Sequence, residues 1–243
     1  MDDISLLEAL LVISAGIITG IINGLIGGGS LVSYLALTSV GVPPVFAAST
    51  NTVGVITGNP AALITPVRKR LVEFRKWFPF ALITLLGSLL GGMLLITLPE
   101  YVFEFLIPIL LLIAGSSVWI GLPRTAIKKK FSMPFLFLSG IYNGYFGPGQ
   151  GILNLSILYR STTYNAATLV ILKNYIITLS NIALSLLFIV SNRVIWSYAL
   201  LLWISVFVGG WASFYVAKDL NEKILRIALS CLAFLSALYF LLF

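Results

Sequence analysis

The pattern of hydrophobic positions is one of long apolar runs separated by short polar punctuation. The runs 4–26, 45–64, 77–98, 102–121, 165–190, 195–217 and 224–243 are each long enough to cross a bilayer. A helix rises about 1.5 Å per residue, so roughly 20 apolar residues span the hydrocarbon. Three shorter apolar stretches, 31–40, 131–146 and 152–159, lie between them. The stretches at 31–40 and 152–159 are too short to cross alone as helices. Each follows a glycine-rich break, so the pattern predicts half-helices or re-entrant segments there.

The pattern also repeats. Gly20-Ile21-Ile22-Asn23-Gly24-Leu25-Ile26-Gly27-Gly28-Gly29 stands 120 residues before Gly140-Ile141-Tyr142-Asn143-Gly144-Tyr145-Phe146-Gly147-Pro148-Gly149, with six of ten positions identical. Ala81…Gly91-Gly92 likewise matches Ala199…Gly209-Gly210, and Asn51 and Asn59 sit loosely opposite Asn174 and Asn181. The chain therefore divides into a first transmembrane repeat at 1–122, a basic linker loop at 123–130 and a second repeat at 131–243. The loop after the second span is basic in the first half (Arg68–Lys76), whereas in the second half the basic residues Lys218, Lys223 and Arg226 come one loop later. Basic loops are cytoplasmic by preference, so this exchange predicts halves of opposite orientation with both chain ends outside. The expected fold is all-α and polytopic. It has two inverted structural repeats, each a glycine-broken helix and short half-helix followed by three long spans.

Composition supports the bilayer. Hydrophobic residues make up 59% and charged residues 9%, against about 45–50% and 25% in soluble domains. The opening Met1-Asp2-Asp3 is acidic where a cleaved signal peptide is basic, so the first run reads as a retained span. The net charge of +7 falls in clusters, Arg68, Lys69, Arg70, Arg75, Lys76 and Arg124, Lys128, Lys129, Lys130. These are loops between spans and not a nucleic-acid face. Cys231 is alone and there is no His. A disulfide framework, a Cys/His metal site and a His-based catalytic unit are therefore excluded. All eight carboxylates lie near segment ends or in loops, which leaves no mid-membrane acid for a proton relay. The chain reads as no enzyme and needs no cofactor or metal. Its expected partners are the lipid bilayer and a small-molecule anion, with homo-oligomerisation left open and nucleic acid excluded. Its expected place is a cell membrane, crossed several times.

Candidate binding residues follow from what lipid forbids. Backbone broken at membrane depth survives only where protein or water covers it. Gly27-Gly28-Gly29-Ser30 and Gly147-Pro148-Gly149-Gln150-Gly151 are such breaks, and each precedes a short helix whose first N–H groups lack intrahelical partners. Two such ends brought together near midplane would attract an anion. The competing explanation is packing, because Gly20, Gly24 and Gly28 form consecutive small-xxx-small steps. Asn23 and Asn143 precede the breaks. Asn51 and Asn174, in the following spans, offer amides to an anion or to a neighbouring helix. Lys173 lies inside its span, where a charge costs roughly 2.5–3.5 kcal/mol on insertion scales. It is the expected counter-charge to an anionic substrate, set against snorkelling to the interface.

On these residues the chain resembles the sulfite exporter TauE/SafE family. The carriers of the resemblance are Asn-Gly-Leu-Ile-Gly-Gly-Gly-Ser, Asn-Gly-Tyr-Phe-Gly-Pro-Gly-Gln-Gly, Leu172-Lys173-Asn174 and Gly209-Gly210. Val42-Pro43-Pro44 and Ala48-Ser49-Thr50-Asn51 also fit. Pro148 and Gln150 depart from the plainer glycines expected in the second stretch. The resemblance implies a secondary transporter that exports small sulfur-containing anions such as sulfite, sulfoacetate or related organosulfonates. A carrier or channel for another small anion, or uptake in place of export, is the alternative.

Overall fold

The computed structural model describes residues 4–25, 27–63, 74–120, 132–164, 166–216 and 222–242. All the regular elements among them are helices: α1 (Leu6–Leu25), α2 (Ser30–Ser39), α3 (Pro44–Gly54), a single 3-10 turn (Val55–Thr57), α4 (Gly58–Leu63), α5 (Phe74–Thr97), α6 (Glu100–Ile120), α7 (Ser132–Tyr145), α8 (Gln150–Ser161), α9 (Ala166–Val190), α10 (Trp196–Val216) and α11 (Glu222–Leu242). Among the described residues, four helices are long and apolar enough to cross a membrane: α1, α5 from Trp77, α9 from Thr168, and α10. Large side chains on their outer faces and on α6 and α11 stay exposed, such as Phe105, Ile204 and Leu235. Lipid, not water, is the solvent that accepts such a surface. The linker at 123–130, the basic residues Arg68–Arg70 and the Lys218-Asp219 pair fall outside the described residues.

The short helices α2 and α8 lie where the apolar pattern puts half-helices. The run at 45–64, expected as one span, is instead two helices with a tight turn between them. Pro60 is the local cause. Its ring lacks the N–H that would bond the Ile56 carbonyl, so the preceding turn tightens to 3-10 geometry.

Each half packs against the other through paired glycines. α1 lies against α10: Gly16 faces Leu202 and Ser205, and Gly20 faces Val206 and Gly210. α7 lies against α5: Gly87 faces Phe137 and Ile141, and Gly91 faces Ile141 and Tyr145. A methyl group added at Gly20 would come 2.6 Å from the Gly210 nitrogen, and one at Gly140 would come 3.0 Å from the Ser88 nitrogen. The duplicated Gly-Gly pairs are thus the packing partners of the duplicated glycine stretches, each across the boundary between halves. This close backbone approach is the usual way transmembrane helices associate.

The same contacts fix directions. Sequence numbers rise together in both pairs, so α1 is parallel to α10 and α5 is parallel to α7. α5 also runs parallel to α9: Trp77 stacks on Tyr164 with ring centroids 5.8 Å apart, and further along Gly92 faces Leu184 and Leu187. Only residues 191–195 separate α9 from α10, so the second spans back across the membrane. α3 and α4 follow α10, with Thr50 Oγ1 accepting from Ile195 N–H at 3.0 Å and Gly58 against Gly210. α6 and α11 pack together, Gly115 meeting Ala233 and Phe234.

Candidate functional site

The two glycine breaks meet. A methyl group at Gly27 would lie 2.8 Å from the Gly151 carbonyl carbon, and one at Gly151 would lie 2.9 Å from Gly27 Cα. Only residues without side chains permit this approach. The first break turns with positive φ at Gly27 (89°) and Gly28 (86°), the second at Gly147 (93°) and Gly149 (88°). The shift in the second has a covalent reason. Position 148 is proline, whose ring holds φ near −65°, so the left-handed turn moves on to Gly149. The departure Pro148 makes from plain glycine is absorbed by the backbone, and α8 still begins at Gln150.

Hydrogen bonds hold the first break in shape. Asn23 Oδ1 accepts from Gly29 N–H at 2.8 Å, and Thr19 Oγ1 donates to the Gly29 carbonyl at 2.9 Å. At the second, Tyr142 donates its hydroxyl to the Pro148 carbonyl at 2.7 Å. Gln150 N–H bonds back to the Gly147 carbonyl at 3.2 Å.

Between the breaks lies a cavity of about 20 Å³, which is room for about one water molecule. Asn23, Gly27, Ser30, Asn51, Asn143, Gly147, Gln150, Gly151 and Lys173 all line it, so nine of the thirteen residues expected from sequence come together. Gly28, Gly29 and Gly149 belong to the breaks without lining it. Asn174 does not line it either: its side chain is fully buried, and neither amide atom has a hydrogen-bond partner among the described residues.

The lining comes in pairs related by the repeat. Asn23 and Asn143, Gly27 and Gly147, and Ser30 and Gln150 are each 120 residues apart. From the following spans come Asn51 with Lys173, Val55 with Ile177 and Asn59 with Asn181, each 122 residues apart. Lys173, Ile177 and Asn181 are four apart, so they share one face of α9. The sequence alignment of Asn51 with Asn174 is therefore one residue out of register. Asn51 corresponds in space to the lysine. Thr52, Val55 and Ile177 were not singled out by sequence, because a β-branched residue in an apolar span carries no signal of its own.

Lys173 is fully buried, and its Nζ donates to the Asn23 carbonyl at 2.7 Å. It does not snorkel. The bond crosses from the second half to the first and shows what the breaks supply electrostatically. α1 and α7 end where α2 and α8 begin, so negative C-terminal and positive N-terminal helix ends share the site. Helix ends of both signs therefore face the site, and Lys173 is the charged side chain among the described lining residues. Asn51 Nδ2 donates to the Ser30 carbonyl at 3.1 Å and its Oδ1 accepts from Ser33 at 2.6 Å. Asn143 Nδ2 donates to Asn181 Oδ1 at 3.1 Å and to Ser88 Oγ at 3.2 Å. Gln150 is 2% exposed, and its Nε2 has no partner among the described residues. It is a buried donor at the cavity wall. No group of three or more His, Cys, Asp or Glu that could hold a metal occurs among the described residues.

The profile of the family described as "Sulfite exporter TauE/SafE" matches residues 12–240. The "Probable membrane transporter protein ORF9" of Sinorhizobium sp is 25% identical over 93% of this chain and 89% of its own length. The "Probable membrane transporter protein YfcA" of Escherichia coli K12 is 25% identical over 86% of this chain and 80% of its own length. A "Probable membrane transporter protein" of Haemophilus influenzae is 29% identical over 74% of each chain. No solved structure matches the chain. The family profile covers both glycine breaks, the cavity between them and the helices that enclose it, and the chain is a multi-pass plasma-membrane transporter that belongs to the sulfite exporter TauE/SafE family.

Proposed function

We propose that this transporter exports a small sulfur-containing oxyanion, such as sulfite or an organosulfonate, through the cavity between the two glycine breaks. The observation that carries the reading is the fully buried Lys173 in a chamber otherwise lined mostly by amides, hydroxyls and glycine backbone, with Val55 and Ile177 as its apolar part. A cation and neutral donors in a water-poor site favour an anion with several acceptor oxygens. The sulfur chemistry rests on the family's description.

Inverted repeats supply the route. α5, α7 and α9 run one way and α1, α3 and α10 the other, which is what two halves of opposite orientation produce. The basic residues before α5 put the start of α5 in the cytoplasm. The α5–α6 and α9–α10 turns then face outside, where Arg193 pairs with Glu100 at 3.3 Å. A cavity with room for one water is too small for a four-atom oxyanion. Loading therefore needs one half to move against the other, as in carriers that rock about a fixed site. An inside-negative potential favours outward movement of an anion by about 2.3 kcal/mol per charge per 100 mV, so export needs no carboxylate relay.

The test is flux from proteoliposomes loaded with sulfite, sulfonates, sulfate or carboxylates. Efflux of sulfite or sulfonates above carboxylates supports the reading. Equal efflux of all, or efflux of carboxylates only, overturns the sulfur assignment.

A further inference from the structure

We infer that the site selects anions by charge number, taking a monoanion and rejecting a dianion. The inference rests on the anion-carrier reading above and narrows it. The chamber has one cationic side chain among its described lining, Lys173. Its counterpart across the repeat is Asn51, which is neutral and already engaged with Ser30 and Ser33. The helix ends at the breaks do not add a second positive charge, because C-terminal and N-terminal ends meet there. The Lys173 bond to the Asn23 carbonyl shows the negative end of α1 at work.

A monoanion beside Lys173 makes the loaded chamber neutral. A dianion leaves one negative charge unpaired among side chains that are almost all buried, which is strongly disfavoured. The remaining lining offers dipoles in place of charge. Gln150 Nε2, buried and without a partner among the described residues, is the donor poised for an anion oxygen. Asn143 and Asn181 already spend one bond on each other. The fitting species are hydrogensulfite and simple alkanesulfonates. The sulfite, sulfate and sulfoacetate dianions do not fit.

Methanesulfonate and sulfate are tetrahedral, similar in size and different by one charge. Binding of each to the purified full chain in nanodiscs at pH 7 is the test. Methanesulfonate is expected to bind more tightly by about tenfold or more, a modest demand for one uncompensated buried charge. Asn51→Lys places a second cation at the repeat-related position. It is expected to shift the sulfate-to-methanesulfonate ratio toward sulfate by about tenfold, and this comparison cancels the difference between a methyl group and an oxygen. Sulfate binding as tightly as methanesulfonate to the unaltered chain overturns the charge selection but leaves the anion-carrier reading standing. An Asn51→Lys protein that still binds methanesulfonate with an unchanged ratio does the same. Binding of neither anion overturns both.

Discussion

Lys173→Met separates what the lysine does for binding from what it does for the fold. Methionine keeps an unbranched chain of similar length and removes the charge. Two effects on stability oppose each other. The charged hydrogen bond to the Asn23 carbonyl at 2.7 Å is lost, at a cost of about 1.5–3 kcal/mol. A charge no longer has to be buried in the membrane, a relief of about 2.5–3.5 kcal/mol on insertion scales. The two nearly balance, so the variant is expected to insert and unfold within a few degrees of the parent. Binding has no such compensation. An anion about 4 Å from the ammonium gains about 4 kcal/mol at an effective dielectric constant near 20, which is about a thousandfold in affinity. Calorimetric binding of methanesulfonate or sulfite, with thermal unfolding measured on the same sample, reads both quantities. Affinity within threefold of the parent, on folded protein, would refute the role given to Lys173.

Other substitutions discriminate the parts of the site. Gly28→Ala places a methyl group 2.7 Å from Ile152 Cδ1 at a positive φ; it is expected to lower stability by about 2–4 kcal/mol, with roughly half regained in the double variant with Ile152→Ala. Gly27→Ala meets the Gly151 backbone instead, so no side-chain trimming is expected to rescue its transport or its unfolding temperature. Asn143→Ala loses bonds to Ser88 and Asn181 but is expected to cost only about 1 kcal/mol of stability, while flux falls by tenfold or more. Gly140→Leu strikes the α5 packing seam, where a methyl group already lies 3.0 Å from the Ser88 nitrogen, and is expected to prevent folded protein from accumulating in detergent.

The breaks were legible in the sequence because lipid makes interrupted backbone expensive and because the interruption is duplicated. Gly27, Gly147 and Gly151 could be found on that argument alone. The partition of the glycines was not legible. Gly20 and Gly140 read the same as Gly27 in a string of letters, and only the facing helices show that the first two are packing seams. Residue identity also misled the register, since Asn51 matches Asn174 better than it matches Lys173. The helical face that reaches the cavity is set by 173, 177 and 181, and that depends on how α9 is rotated against α3. Tertiary packing decides such a rotation. The division of 45–64 into two helices was not read from the sequence, where the run was expected as a single span, although Pro60 marks the place.

The most direct test of the account is an experimental structure of the purified protein with selenite, whose selenium scatters anomalously. A single anomalous peak in the cavity beside the Gly27–Gly151 contact, within reach of Lys173 Nζ and Gln150 Nε2, is the expected result. Selenium at the lipid-facing surface only, or a chamber without a peak under conditions where selenite is transported, would contradict it.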